Sequence, residues 1–209
     1  MRTSTAPWRG VYLITPDLDD TALMLDRTVR ALDGGVALLQ YRNKLARDSL
    51  RMEQAAALMR VCERAGVPLV INDHVDLASA IGASGAHVGG DDLDMAAARH
   101  ALGQSAILGA SCYASLERAQ LAAASGASYL AFGAFASSPT KPAARRADLS
   151  LLSAAKSFGL PIVAIGGVDA RIAAELTSAG ADLLAVISAV YGASDPARAV
   201  RELNRAFSS

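Results

Sequence analysis

Eight short apolar runs recur along this 209-residue chain, and the stretches between them carry helical or turn patterns. Val11–Ile14, Ala37–Gln40, Pro68–Ile71, Ala86–Val88, Ile107–Ala110, Tyr129–Phe132, Ile162–Ile165 and Leu183–Ile187 are each rich in β-branched residues or Leu. Runs this short with no polar alternation predict strands covered on both faces. Between them, Asp48–Ala65, Ser115–Ser125 and Ala170–Ala179 place apolar residues at helical spacing, and each is followed by a glycine. Ser-Gly-Ala at 84–86 and 125–127 and Ala-Gly-Ala at 179–181 read as a left-handed glycine ending a helix before a short link into a strand. Repeated strand–helix units of this kind imply parallel strands, because each crossover needs a helix. Eight units favour a closed (β/α)8 TIM barrel over an open sheet. An open doubly wound sheet usually has a Gly-rich turn after its first strand, whereas here the chain runs into Thr15-Pro16-Asp17. The length fits one barrel domain over residues 1–209, and 134–148, rich in Ser, Pro, Lys and Arg, reads as a mobile loop within it.

In such a barrel the chemistry lies on the loops beyond the strands' C-terminal ends. Gln40, Arg42 and Lys44 follow the second strand at alternate positions, so all three are expected to face the mouth, where they suit a phosphate and a hydrogen-bonding ring. A basic strand end on the surface is the competing reading. Asn72-Asp73 follow the third strand and Gly89-Gly90-Asp91-Asp92 the fourth. Carboxylates on neighbouring strand ends suit Mg²⁺ bridging phosphate oxygens, though each alone could cap a helix. Ser111 follows the fifth strand and is expected to lack a nearby His base, which argues against a nucleophile. His74, His87 and His100 lack partners in the sequence and read as structural. Gly166-Gly167 and Ile187-Ser188 follow the last two strands, where this fold commonly binds phosphate through backbone N–H groups. Two anion sites, one with a metal and cations and one built mainly of backbone, suit a diphosphate paired with a monophosphate.

The formal net charge is zero, so no global field draws the protein to nucleic acid or an anionic membrane, and anionic ligands must be held by local charges. Cys62 and Cys112 form no spaced motif. The N-terminal stretch lacks an apolar signal region, and no apolar run is long enough to span a bilayer, so a cytoplasmic enzyme is expected.

These segments resemble one family. Tyr12-Leu13-Ile14-Thr15, Gln40 to Lys44, Ile71-Asn72-Asp73, Ala86 to Leu93, Gly109-Ala110-Ser111, Ser138 to Lys141 and Ala164 to Gly167 are similar, in order and spacing, to the signatures of thiamine-phosphate synthase. The resemblance implies a transferase. It would condense an aminopyrimidine diphosphate with a thiazole phosphate into thiamine monophosphate, releasing pyrophosphate through a pyrimidine cation. By the same resemblance Gln40, Arg42, Lys44, Asn72, Ser111 and Lys141 hold the pyrimidine diphosphate. Arg42, Lys44, Lys141 and Ser111 serve the chemistry, and Asp73 and Asp92 hold Mg²⁺. Ser138, Thr140, Gly167, Ile187 and Ser188 cradle the thiazole phosphate.

The chain departs from the family pattern at four positions. Ser138 stands where Thr is commoner, Asn43 where Asp is, Gly90 where Gln is and Ala134 where Pro is. A thiazole tautomerase on the same barrel would carry a His base after the sixth strand, where this chain has Gly133-Ala134-Phe135. A non-catalytic precursor-binding relative would have no need of both metal carboxylates and Lys141, and a tryptophan-pathway barrel would share only Gly166-Gly167 and Ser188. The oligomeric state, a homodimer included, is not written in the sequence.

Overall fold

All eight apolar runs become strands in the computed structural model, which describes residues 8–89, 95–136 and 147–208. The strands are β1 (Gly10–Ile14), β2 (Val36–Tyr41), β3 (Leu69–Asn72), β4 (Gly85–Val88), β5 (Ile107–Tyr113), β6 (Tyr129–Phe132), β7 (Ile162–Ile165) and β8 (Leu183–Val186). They close in sequence order into a parallel barrel, β1 pairing with both β2 and β8. The helices are α1 (Thr21–Leu32), α2 (Asp48–Ala65), α3 (Val75–Ile81), α4 (Met95–Leu102), α5 (Leu116–Ala124), α6 (Ser150–Ala155), α7 (Ala173–Ser178), α8 (Ser188–Tyr191) and α9 (Pro196–Asn204).

Period-two alternation sorts each strand into two cores. Val11, Leu13, Leu39, Tyr41, Leu69, Ile71, Leu108, Leu130, Ile162 and Leu184 face the helices. Tyr12, Ile14, Leu38, Val70, Tyr129, Ala131, Val163, Leu183 and Ala185 fill the barrel. The central packing depends on a missing side chain, since a Cβ on Gly109 would overlap the Tyr129 ring. Helix α2 spans Asp48–Ala65 as expected, and Gly66 ends it in the left-handed region at φ 67°. Gly126 and Gly180 follow α5 and α7 with φ 87° and 117°.

Two expectations need correction. The first Ser-Gly-Ala phrase does not end a helix. Gly82 ends α3 at φ 67°, while Gly85 opens β4, where a Cβ would strike the backbone of Ile107. Helix α7 begins at Ala173 rather than Ala170, because Asp169 holds the preceding residues in a turn, its carboxylate accepting the Arg171 N–H at 2.9 Å. At the barrel's other end Arg99 is 9% exposed and points its guanidinium at the carbonyls of Gly103, Ala106 and Gly126 (2.6–3.1 Å) and at Ser128 Oγ. It thereby joins the end of α4 to the segments that lead into β5 and β6. None of the helices among the described residues is long and apolar enough to cross a membrane.

Candidate active site

The end of β1 builds the end of β2. Thr15 is fully buried, and its hydroxyl accepts the Arg42 N–H and donates to the Arg42 carbonyl, both at 2.8 Å. Two residues on, Asp17 accepts the Arg42 guanidinium at 3.0 and 3.1 Å and the Lys44 backbone N–H at 2.7 Å. The cationic segment is therefore clamped by Thr15 and Asp17, and sequence reading gave Asp17 no role. Its signal was the pair Thr15 and Asp17 directly after a strand beside a basic one. Asn43 is buried and locks the same turn. Its Oδ1 accepts from Leu45 and Ala46, and its Nδ2 donates to the Leu18 carbonyl and to Gln54 Oε1. An aspartate there has no N–H to give, so Asn43 fits this chain's buried Gln54.

The alternation expected beyond β2 holds only in part. Gln40 is 2% exposed and lies inside the barrel, where its Nε2 donates to Tyr12 Oη at 2.5 Å. Arg42 is partly buried at the rim, and Lys44 is exposed. Lys44, Asn72 and Asp73 line one cleft of about 170 Å³ together with Tyr41, Asn43, Arg51 and His74. Arg51 adds a cation that the sequence did not single out, held by Asp48 and the Ala46 carbonyl, each at 2.6 Å.

Asp73 turns sharply at φ 62°, a conformation that Asp tolerates better than most residues. Its N–H donates to the His87 carbonyl at 2.9 Å. Its Oδ2 accepts from Asn72 Nδ2 at 2.7 Å, and its Oδ1 lies 3.3 Å from the Gly89 N–H. A carboxylate fixed at the rim beside a lysine is the hard oxygen donor that Mg²⁺ takes along with water and phosphate oxygens. Among the described residues no cluster of three or more His, Cys, Asp or Glu could hold a metal ion. Asp92, the second expected ligand, lies outside the described residues, as do Asp91, Gly90, Ser138, Thr140 and Lys141. The same is true of most of the expected 134–148 loop.

Ser111 and Gly89 line a neighbouring cleft of about 500 Å³. His87 was expected to lack partners and Ser111 to lack a nearby His, but barrel closure brings them together: the ring faces inward between Tyr129 Oη, 2.8 Å from its Nδ1, and Ser111 Oγ, 2.9 Å from its Nε2. Burial pushes the His87 imidazole down to about 4, against the opposing pull of Asp73, so the ring is neutral at pH 7. Burial likewise drives Tyr12 and Tyr129 well above the ordinary tyrosine range.

Past β7, Gly166 and Gly167 have φ 94° and 70°. The Gly166 carbonyl accepts from Phe135 and Ala136 at 3.2 and 3.0 Å, and a Cβ on Gly167 would lie 2.6 Å from the Ala136 carbonyl oxygen. The glycines thus allow the segment after β6 to lie against the end of β7. Ile187 caps the short helix α8, which exposed Ser188 opens. The residues expected around a thiazole phosphate that are described, Gly167, Ile187 and Ser188, all lie at these two adjacent strand ends.

Residues 11–190 match the family model described as thiamine monophosphate synthase. This chain belongs to that family. It is 53% identical over 199 residues to the thiamine-phosphate synthase of Xanthomonas campestris, with 95% of this chain and 96% of the relative covered. To the protein of the same name from Thiobacillus denitrificans it is 50% identical over 201 residues, covering 96% and 95%. The solved structure of thiamine phosphate pyrophosphorylase from Pyrococcus furiosus superimposes with a TM-score of 0.85 at 32% identity, covering 97% of this chain and 96% of the other. The resemblance read from the seven segments and the barrel read from eight strand–helix units therefore both hold.

Proposed function

We propose that the chain works as a thiamine-phosphate synthase within one domain. It joins 4-amino-2-methyl-5-(diphosphooxymethyl)pyrimidine to 4-methyl-5-(2-phosphoethyl)thiazole, forming thiamine monophosphate and pyrophosphate. Family membership and the names of its full-length relatives support the activity. The observation that supports the site assignment is the convergence of Lys44, Asn72 and Asp73 on a single cleft, with Arg42, two residues before Lys44, held by Asp17.

The reaction breaks the C–O bond between the pyrimidine methylene and the diphosphate, and the electron pair leaves with the diphosphate. Arg42, Lys44 and Lys141 offset the growing negative charge on that leaving group. The aminopyrimidine ring spreads the positive charge of the resulting cation, and the thiazole nitrogen gives its lone pair to form the new C–N bond. No protein nucleophile is needed, so alignment of the two substrates supplies much of the acceleration. Gln40, Asn72 and Ser111 hold the pyrimidine end. Gly167, Ile187 and Ser188, with Ser138 and Thr140, hold the thiazole phosphate. Asp73 and Asp92 are the residues that would hold Mg²⁺, which supplies positive charge to the diphosphate oxygens.

Incubating the protein with both substrates and Mg²⁺ tests this reading. Equal amounts of thiamine monophosphate and pyrophosphate are expected. Isomerised thiazole without pyrophosphate would assign the chain to the tautomerase branch, and binding without turnover would assign it to a non-catalytic one.

A further inference from the structure

A continuous line of buried hydrogen bonds crosses the barrel interior from β2 to β5. Gln40 Nε2 lies 2.5 Å from Tyr12 Oη, Tyr12 Oη is 2.6 Å from Tyr129 Oη, Tyr129 Oη is 2.8 Å from His87 Nδ1, and His87 Nε2 is 2.9 Å from Ser111 Oγ. All five side chains point inward, and the His87 and Tyr129 rings stack with centroids 5.6 Å apart. Both ends of the line, Gln40 and Ser111, are residues assigned above to the pyrimidine, whereas the three in the middle have no such assignment.

The order of the protons along this line follows from the inventory of donors. An amide Nε2 can only donate, so Tyr12 Oη accepts from Gln40. The Tyr12 O–H must then go to Tyr129, because the reverse order leaves a buried hydroxyl hydrogen with no acceptor in the line. Tyr129 in turn donates to His87 Nδ1. That fixes the neutral imidazole as the tautomer protonated on Nε2, which donates to Ser111 Oγ. Ser111, already accepting from below, is left with its own O–H to give. Gly89 keeps that approach clear, since a Cβ there would lie 3.1 Å from Ser111 Oγ.

We infer that Tyr12, Tyr129 and His87 are positioning residues that set the hydrogen-bond polarity of the pyrimidine site, holding Ser111 as a donor toward an acceptor atom such as a ring nitrogen and fixing the carboxamide plane of Gln40. The inference rests on the function proposed above. The line does not touch the ends of β7 and β8, where the thiazole phosphate is assigned, so its effect is confined to one substrate.

The test is Tyr129→Phe, which keeps the ring and removes the hydroxyl at the middle of the line. KM for the pyrimidine diphosphate is expected to rise about tenfold, while KM for the thiazole phosphate stays within about twofold. In a background where both ends of the line are removed, Gln40→Ala with Ser111→Ala, the same change should cost less than about twofold, because both routes to the substrate are already cut. Equal rises in both KM values would overturn the inference in favour of a general packing role. So would the same penalty in both backgrounds, or unchanged kinetics in Tyr129→Phe. A wild-type protein that forms no thiamine monophosphate would instead refute the proposed function, so the two failures are distinguishable.

Discussion

The Thr15 clamp makes the sharpest prediction, because one hydroxyl with no solvent access serves both backbone groups of Arg42. Thr15→Val is nearly isosteric and deletes that hydroxyl. Each hydrogen bond is worth a net ~1 kcal/mol, and the Arg42 N–H is left beside a methyl group, so the loss is about 2 kcal/mol after the small gain from burying the methyl. For a chain of this length that corresponds to a fall in Tm of roughly 4–8 °C. The clamp also aims the segment that bears Arg42 and Lys44, so KM for the pyrimidine diphosphate should rise about tenfold with little change for the thiazole phosphate. Thermal unfolding and steady-state kinetics on Thr15→Val and Thr15→Ser decide the matter. The serine variant keeps the hydroxyl and should lie close to the parent. A Thr15→Val protein with the parent's Tm and the parent's pyrimidine KM would refute the reasoning.

Replacing Arg99 by Met removes its buried charge-assisted bonds to three carbonyls and a hydroxyl. It should cost about 3 kcal/mol, seen as a fall in Tm of roughly 6–12 °C. His87 has its folded-state pKa lowered to about 4 from an ordinary 6.5. The unfolded chain therefore binds the proton first, and the stabilisation is complete above pH 6.5 and lost as pH falls toward 4. Urea midpoints should drop across that window by the equivalent of at most about 3 kcal/mol, and the drop should flatten in His87→Gln. Lys141→Ala should lower turnover by about a hundredfold or more in single-turnover pyrophosphate release, and unchanged turnover would remove the lysine from the chemistry.

Much of this was legible in the residues because the barrel is built from local repeats. The eight apolar runs and the left-handed glycines after α2, α5 and α7 each encode their own element. The one misread phrase, at 84–86, failed because Gly82 already ends that helix. Gly85 answers instead to the backbone of Ile107 on the next strand, a tertiary demand that no local pattern carries. The site was legible to the same depth. Alternation places Gln40 on the inward face, but only closure of the barrel brings Tyr12, Tyr129 and His87 together across it, and they are separated by 42 to 117 positions in sequence. His87 therefore read as a histidine without partners. Asp17 was missed for a related reason, since its partner Arg42 becomes a neighbour only when β1 and β2 pair.

The central claim is that departure of the diphosphate depends on the proposed metal ligands Asp73 and Asp92 and on the proposed cations Arg42, Lys44 and Lys141. Its most direct test is pyrophosphate release by the Asp73→Asn, Asp92→Asn double variant, with both substrates saturating and Mg²⁺ present. The account predicts at least a roughly hundredfold loss of rate in a protein that still unfolds cooperatively. Release of pyrophosphate at the parent's rate would contradict it.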